Sequence, residues 1–234
     1  MDDIIQGISN FRGSVFPGQQ QMYQRLVRDG QHPQALIIAC ADSRVSPEHI
    51  TQSGPGDLFV CRNAGNIVPP FSQQNGGVSS AIEYAVMALG VRDIVICGHS
   101  DCGAMKGLMK PEALDSMPNV AAWLRHSHAA SQIVCEAYPA GMDPKDHHRA
   151  LALENVVVQL SNLRTHPSVA ADLAKGQLRL HGWFFEIESG QVLAYCGEAG
   201  RFVPIDEADA MPVAHRPAQR IAAPEMARVA VAAE

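Results

Sequence analysis

The sequence predicts an α/β fold: an open, mainly parallel β-sheet flanked by helices, with an N-terminal helical arm and an antiparallel edge hairpin. Three observations carry that expectation. Short continuous apolar runs, "ALIIA", "DLFVC" and "DIVICG", alternate with helical segments, the pattern of parallel strands buried on both faces. Before the first of them, apolar residues recur at helical spacing. Late in the chain, "LRLHGWFFEI", the turn "ESGQ" and "VLAYC" read as two strands folded back on each other.

In chain order, Ile4, Ile5, Ile8, Phe11 and Val15 form a first helical face, and Met22, Tyr23, Leu26 and Val27 a second. Gly30 is a natural stop, so residues 1–30 make the arm. The runs at 35–39, 57–61 and 93–98 are the parallel strands, and "GGVSSAIEYAVMALG" is the helix between the last two. After "GHSDCG" the chain reads as mainly helical through "VAAWLRHSHAASQIVCEAY" and "HHRALALENVVVQLSNL", then enters the hairpin. From about Pro212 it becomes rich in Ala and Pro. The expected organisation is one domain over 1–211 and a loose or surface-docked tail over 212–234.

At 234 residues the chain is long enough to bury a substantial core. Its net charge is -6 with no block of like charge, which argues against a nucleic-acid partner. The opening "MDDIIQGISNF" has acids where a secretory signal needs bases, and the longest apolar runs are too short to span a membrane. The expectation is a cytoplasmic protein with no membrane partner.

Six cysteines stand at 40, 61, 97, 102, 135 and 196. Cys61 and Cys97 fall in strand-like runs and read as small buried hydrophobes; Cys135 and Cys196 take the same reading. Cys40 and Cys102 remain. Ligands of open parallel sheets bind beyond the carboxyl ends of the strands. Cys40 follows the first strand, Arg62 and Asn63 the second, and "GHSDC" the third, so three polar clusters converge on one edge. "HSDC" sets His99 and Cys102 three residues apart, close enough for one metal ion to take both, with Cys40 as a third ligand. Two thiolates and an imidazole suit zinc, and three protein ligands leave a fourth position exchangeable, the mark of a catalytic site.

"CADSRV" adds Asp42 and Arg44. Asp42 either fills the fourth position or is held by the arginine in a bidentate pair, which would leave that position to water. Two thiolates would cancel the charge of zinc, so a water there needs its surroundings to lower its pKa. The histidines of "HSH" (126–128) and "HH" (147–148) read as solvated helix faces, and Met105 and Lys106 as helix packing and surface charge.

"CADSRV" with "GHSDCGAMKGL" resembles the beta-class carbonic anhydrases, whose signatures are Cys-x-Asp-x-Arg and His-x-x-Cys. The likeness runs over roughly residues 3 to 110, through "GDLFVCRNAGNIVPP" and "GGVSSAIEYAV", and is weaker in "HGWFFEIESGQVLAY". It implies one zinc per chain on Cys40, His99 and Cys102, with Asp42 and Arg44 as the catalytic dyad. It implies reversible hydration of carbon dioxide to bicarbonate and a proton by zinc-bound hydroxide. It also implies an arm that wraps a second subunit, and a homodimer or higher even oligomer.

The plant-like type of this family has a Gln nine residues before the first Cys and a Phe and a Tyr lining the pocket. Gln31, Phe59 and Tyr84 match them. The bicarbonate-inhibited type has a Trp three residues before that Cys, where this chain has Ile37. The expectation is the open type, with Asp42 on Arg44. Ala64 stands where plant members carry a larger apolar residue. Asn63, Gly65 and Gly103 are expected to shape the loops around substrate. Two alternatives stay open: a hydrolase of another small linear substrate such as carbon disulfide, and a structural-zinc or redox protein using Cys40 and Cys102.

Overall fold

A computed structural model describes residues 1–72 and 76–208. The Ala/Pro-rich tail expected over 212–234 lies outside the described residues.

The arm is one run of helix. Asp2–Asn10 (α1) passes through a single wider-wound stretch, Phe11–Val15, into Phe16–Asp29 (α2). Pro17 falls in the first turn of α2, where its missing N–H is tolerated. Gly30, at φ 83°, ends the helix where the sequence sets the stop. No residue of α1 or α2 is buried, and Ile4, Ile5 and Ile8 stay more than half exposed. Among the described residues the apolar stripe of α1 therefore has no cover, whereas Leu26 of α2 packs against Gly56.

The expected strands are Ala35–Cys40 (β1), Leu58–Asn63 (β2) and Asp93–His99 (β3). Pro47–Thr51 (α3) lies between the first two and Gly77–Met87 (α4) between the last two. Then follow Gly103–Met109 (α5), Pro118–Leu124 (α6), His128–Ala137 (α7), Pro144–Leu163 (α8) and Pro167–Ala174 (α9). Arg179–Phe185 (β4), Val192–Cys196 (β5), Arg201–Pro204 (β6) and Ile205–Ala208 (α10) complete the described chain.

The sheet runs β2-β1-β3-β4-β5-β6. The first four strands are parallel and the last two pair antiparallel. The antiparallel part extends one strand beyond the expected hairpin. "RFVP" is four residues long and ends in Pro, too short to show a period of two.

Alternation along the strands divides the core. Leu36, Ile38 and Cys40 join Ile94 and Ile96 in the large cluster shared with the helices, whereas Ile37, Ala39, Val95 and Cys97 form a small cluster on the other face. Helix α8 packs across β3 and β4. Its close approach requires glycine on the strands: a Cβ on Gly98 would meet Val156 Cγ2 at 2.6 Å, and one on Gly182 would meet Leu160 and Val156 at 3.0 Å.

Three cysteine readings need correction. Cys97 is buried, but Cys61 and Cys196 are half-buried and Cys135 is exposed. Cys135 follows Val134, which with Ala130 makes the buried stripe of α7, and so falls on the outer face. Among the described residues no helix is long and apolar enough to cross a membrane.

Candidate metal centre

The order of the strands determines where a site can form. From β1 the chain moves outward to β2; from β3 it moves to β4 on the opposite side. The carboxyl ends of β1 and β3 are thus the switch point of the parallel sheet, where connections diverge and leave a crevice. Cys40 is the last residue of β1 and His99 the last of β3. Cys102 is the N-cap of α5, one short turn later. The thiol sulfurs and an imidazole nitrogen of these three residues all lie within 4.8 Å of one another, and all three residues are buried.

The protonation of His99 follows from its partner. Nδ1 lies 2.8 Å from the Ser100 carbonyl, which can only accept, so Nδ1 carries the proton and Nε2 keeps its lone pair. That Nε2 is buried and has no hydrogen-bond partner among the described residues. A buried acceptor without a partner, facing two thiols, fits a metal ion: a ligating histidine characteristically donates its other N–H to a carbonyl. The donor set fits zinc in particular. Cys40 is held well below the usual thiol range, chiefly by the neighbouring Cys102 thiol and also by the Gly65 amide, while Cys102 is pushed up by Cys40 and by burial.

Asp42 is turned onto Arg44. Arg44 Nε donates to Oδ1 at 3.0 Å and Nη2 to Oδ2 at 2.8 Å, and the Arg44 amide adds a third bond to Oδ1 at 3.0 Å. The guanidinium holds this carboxyl far below the usual carboxylate range. Arg62 supports the loop from β2, donating to the carbonyls of Cys40, Asp42 and Val45.

Asn63 and Gly65 shape the loop after β2. Asn63 brackets it, accepting from the Ile67 amide at 2.7 Å and donating to the Ile67 carbonyl at 2.9 Å. Gly65, at φ 81°, turns its amide to within 3.4 Å of Cys40 Sγ, and a Cβ there would press on Ala104 at 3.1 Å. Gly103 opens α5 beside Cys102 and has open space around it. Ala64, Gly103, Ala104 and Gly107 line a largely apolar cavity of about 430 Å³ with Lys106 and Lys110 at its rim.

The remaining pocket candidates lie elsewhere. Phe59 and Tyr84 are together, ring centres 5.9 Å apart, and Tyr84 is half exposed. But Phe59 pairs with Leu36 near the start of β1, whereas Asn63 pairs with Cys40 at its end. Four residues of strand separate the two places by about 13 Å. Gln31 is exposed and precedes β1, so it too belongs to the amino end.

Helix α8 supplies what the sequence reading missed. His148, taken there for a solvated residue, is buried, and its Nε2 donates to the Cys102 carbonyl at 2.9 Å. Asn155 donates to the Gly65 carbonyl at 2.9 Å, and Gln159 accepts from the Val68 amide at 2.9 Å. Positions 148, 155 and 159 recur at helical spacing on the buried face of α8. Three polar residues in that stripe were the available signal. Lys106, read as surface charge, pairs with Asp101.

Comparison with known proteins agrees with this construction. A family model described as carbonic anhydrase matches residues 35–192. A carbonic anhydrase of Pseudomonas aeruginosa is 50% identical over 207 residues, covering 88% of this chain and 93% of that protein. One from Synechococcus elongatus is 45% identical over 208 residues, 88% of this chain and 76% of that protein. Among solved structures, the beta-carbonic anhydrase CcaA superposes with a TM-score of 0.84 at 45% identity, over 87% of this chain and 91% of that one. Tetrameric beta-carbonic anhydrases of Sordaria macrospora match with a TM-score of 0.74 at 30% identity, over 82% of this chain and 95% of that one. A buried Cys–His–Cys cluster at the switch point of this sheet, in a chain so related, leads to one conclusion: the protein belongs to the beta-class carbonic anhydrases, enzymes that hydrate carbon dioxide.

Proposed function

We propose that the chain hydrates carbon dioxide reversibly to bicarbonate and a proton at one zinc ion held by Cys40, His99 and Cys102, with Asp42 and Arg44 as the orienting and gating pair. The observation that carries this reading is the buried His99 Nε2, which has no hydrogen-bond partner among the described residues and lies beside two thiols. Zinc, when bound there, supplies a Lewis acid that makes water a nucleophile near neutral pH.

The chain's own residues do the rest. Ser100 fixes the His99 tautomer, and the Gly65 amide stabilises the Cys40 thiolate. Arg44 holds Asp42 as an ionised acceptor in a bidentate pair, which would leave a fourth metal position to water. Of the roughly four lone-pair sites on the Asp42 carboxylate, Arg44 takes three, and the last, on Oδ2, is available to accept from an attacking water and orient it. Asn63, Gly65 and Gly103 shape the walls beside the cluster. The open arrangement of Asp42 supports the plant-like type.

Gln31, Phe59 and Tyr84 serve substrate in this reading from a second copy, because in their own chain they lie at the far end of the strands from Cys40. The exposed apolar residues of α1 and the half-exposed Tyr84 support a homodimer as the working unit. Stopped-flow hydration of carbon dioxide followed with a pH indicator tests the reading. A rate well above background in zinc-loaded protein is expected; none above background would overturn it.

A further inference from the structure

Arg44 carries more than Asp42. Its Nη1 donates to Asp101 Oδ2 at 2.9 Å, and its Nη2 also reaches the Asp101 carbonyl at 3.2 Å. Asp101 stands between His99 and Cys102, in a left-handed conformation at φ 58° that aspartate tolerates better than most residues. Its other oxygen is taken by Lys106 of α5. Asp42, Arg44, Asp101 and Lys106 thus form a chain of alternating charge. It ties the loop after Cys40 to the turn that bears the other two ligands.

This changes what Arg44 can do. An Arg–Asp pair two residues apart, with the arginine side chain 46% exposed, is weak when it stands alone. A lone guanidinium at such a place exchanges partners with water and frees its carboxylate. Asp101 grips the edge of the guanidinium that Asp42 does not use, and leaves the Nε–Nη2 edge facing Asp42. Leaving that orientation costs contacts to both aspartates rather than one. Asp101 is itself fixed, by its backbone turn and by Lys106.

We propose that Asp101 is a positioning residue, acting through Arg44, that keeps the Asp42 carboxylate off the Cys40–His99–Cys102 cluster. The proposal rests on the reading that Asp42 and Arg44 gate the fourth position. It goes beyond that reading in giving the gate a third member, supplied by the ligand turn itself. Sequence alone hides it: Asp101 lies 57 residues from Arg44, inside a motif whose flanking residues claim attention.

The test loads the full-length wild type, Asp101→Gly and Asp101→Asn with cobalt(II) and titrates each with azide, following the visible absorption bands of the metal. Glycine accepts the left-handed turn without strain, so its effect reports the lost carboxylate. Asparagine keeps an acceptor for Arg44. The expected result is azide binding in the wild type, weakened about fivefold in Asp101→Gly as Asp42 competes for the metal, with Asp101→Asn between the two. Unchanged azide affinity and spectra in Asp101→Gly, beside a responsive wild type, would overturn the role of Asp101 and leave the gate itself standing. A wild type that binds azide only after Asp42→Ala would overturn the gate reading, and this proposal with it.

Discussion

The side chain of Asn155, buried in α8, donates at 2.9 Å to the carbonyl of Gly65, whose own amide points at the sulfur of Cys40. From two turns further back on the same helix face, His148 holds the carbonyl of Cys102. One helix thus braces both sides of the cluster. Truncating either residue leaves a buried carbonyl without its donor, at a cost of about 1–3 kcal/mol. Asn155→Ala and His148→Ala are each expected to weaken metal binding or turnover by about 10- to 100-fold. Competition with a coloured chelator measures the first and stopped flow the second; wild-type values for both would show that α8 only fills space.

Removing the carboxylate of the gate separates enzyme from scaffold. Asp42→Ala is expected to keep its metal, because Asp42 lies on Arg44 and not among the three donors. Turnover is expected to fall by about 10²- to 10³-fold, the range for loss of a group that orients or stabilises the reacting atoms. Metal analysis and stopped flow on one preparation check both halves. Full turnover with full metal would favour a structural or redox role for the cysteines.

Gly98 precedes His99 and faces α8. Gly98→Ala places a methyl 2.6 Å from Val156 Cγ2 and 3.4 Å from Phe184 Cδ2, and is expected to destabilise by about 1–3 kcal/mol. Adding Val156→Ala opens room for that methyl, so the double variant should melt higher than the sum of the single effects. Additive losses in Tm would place the strain elsewhere.

At the opposite end of β3, Asp93 takes a bidentate pair from Arg179 and a further bond from His181. Burial pushes its carboxyl up, but these hydrogen bonds outweigh burial and leave it below the ordinary range. A carboxylate with a depressed folded-state pKa contributes its stability fully above the unfolded value of about 4 and loses it as pH falls through the folded value. Asp93→Asn should therefore melt below the wild type at neutral pH, and the gap should close in acid below about pH 4. Thermal unfolding across pH measures it; a gap that stays constant would mean the charge contributes nothing.

Much of this was legible in the chain because each element carried its own local signal. "ALIIAC" and "DIVICGH" are continuous apolar runs too short for helices and ending in ligand chemistry, so strands, sheet type and the place of the cluster followed together. The direction of Asp42 depended on a partner two residues away, and sequence could name both outcomes and favour one. What sequence missed depends on distant contacts. His148 and Asn155 meet their carbonyls across 46 and 90 residues, and their helical spacing in "HHRALALENVVV" does not say which carbonyls they meet. β6 was lost to its length, four residues with a closing proline. The separation of Phe59 from Cys40 is a matter of register, since residues four apart on one strand stand on the same face yet far along it.

The central claim is that Cys40, His99 and Cys102 of each chain hold one zinc ion on which hydration depends. Stripping the protein of metal with a chelator, adding back zinc in measured equivalents and following carbon dioxide hydration at each addition tests it most directly. Activity should be absent at the start, rise linearly and break at one zinc per chain. Full activity in metal-free protein, or no recovery at one equivalent, would contradict it.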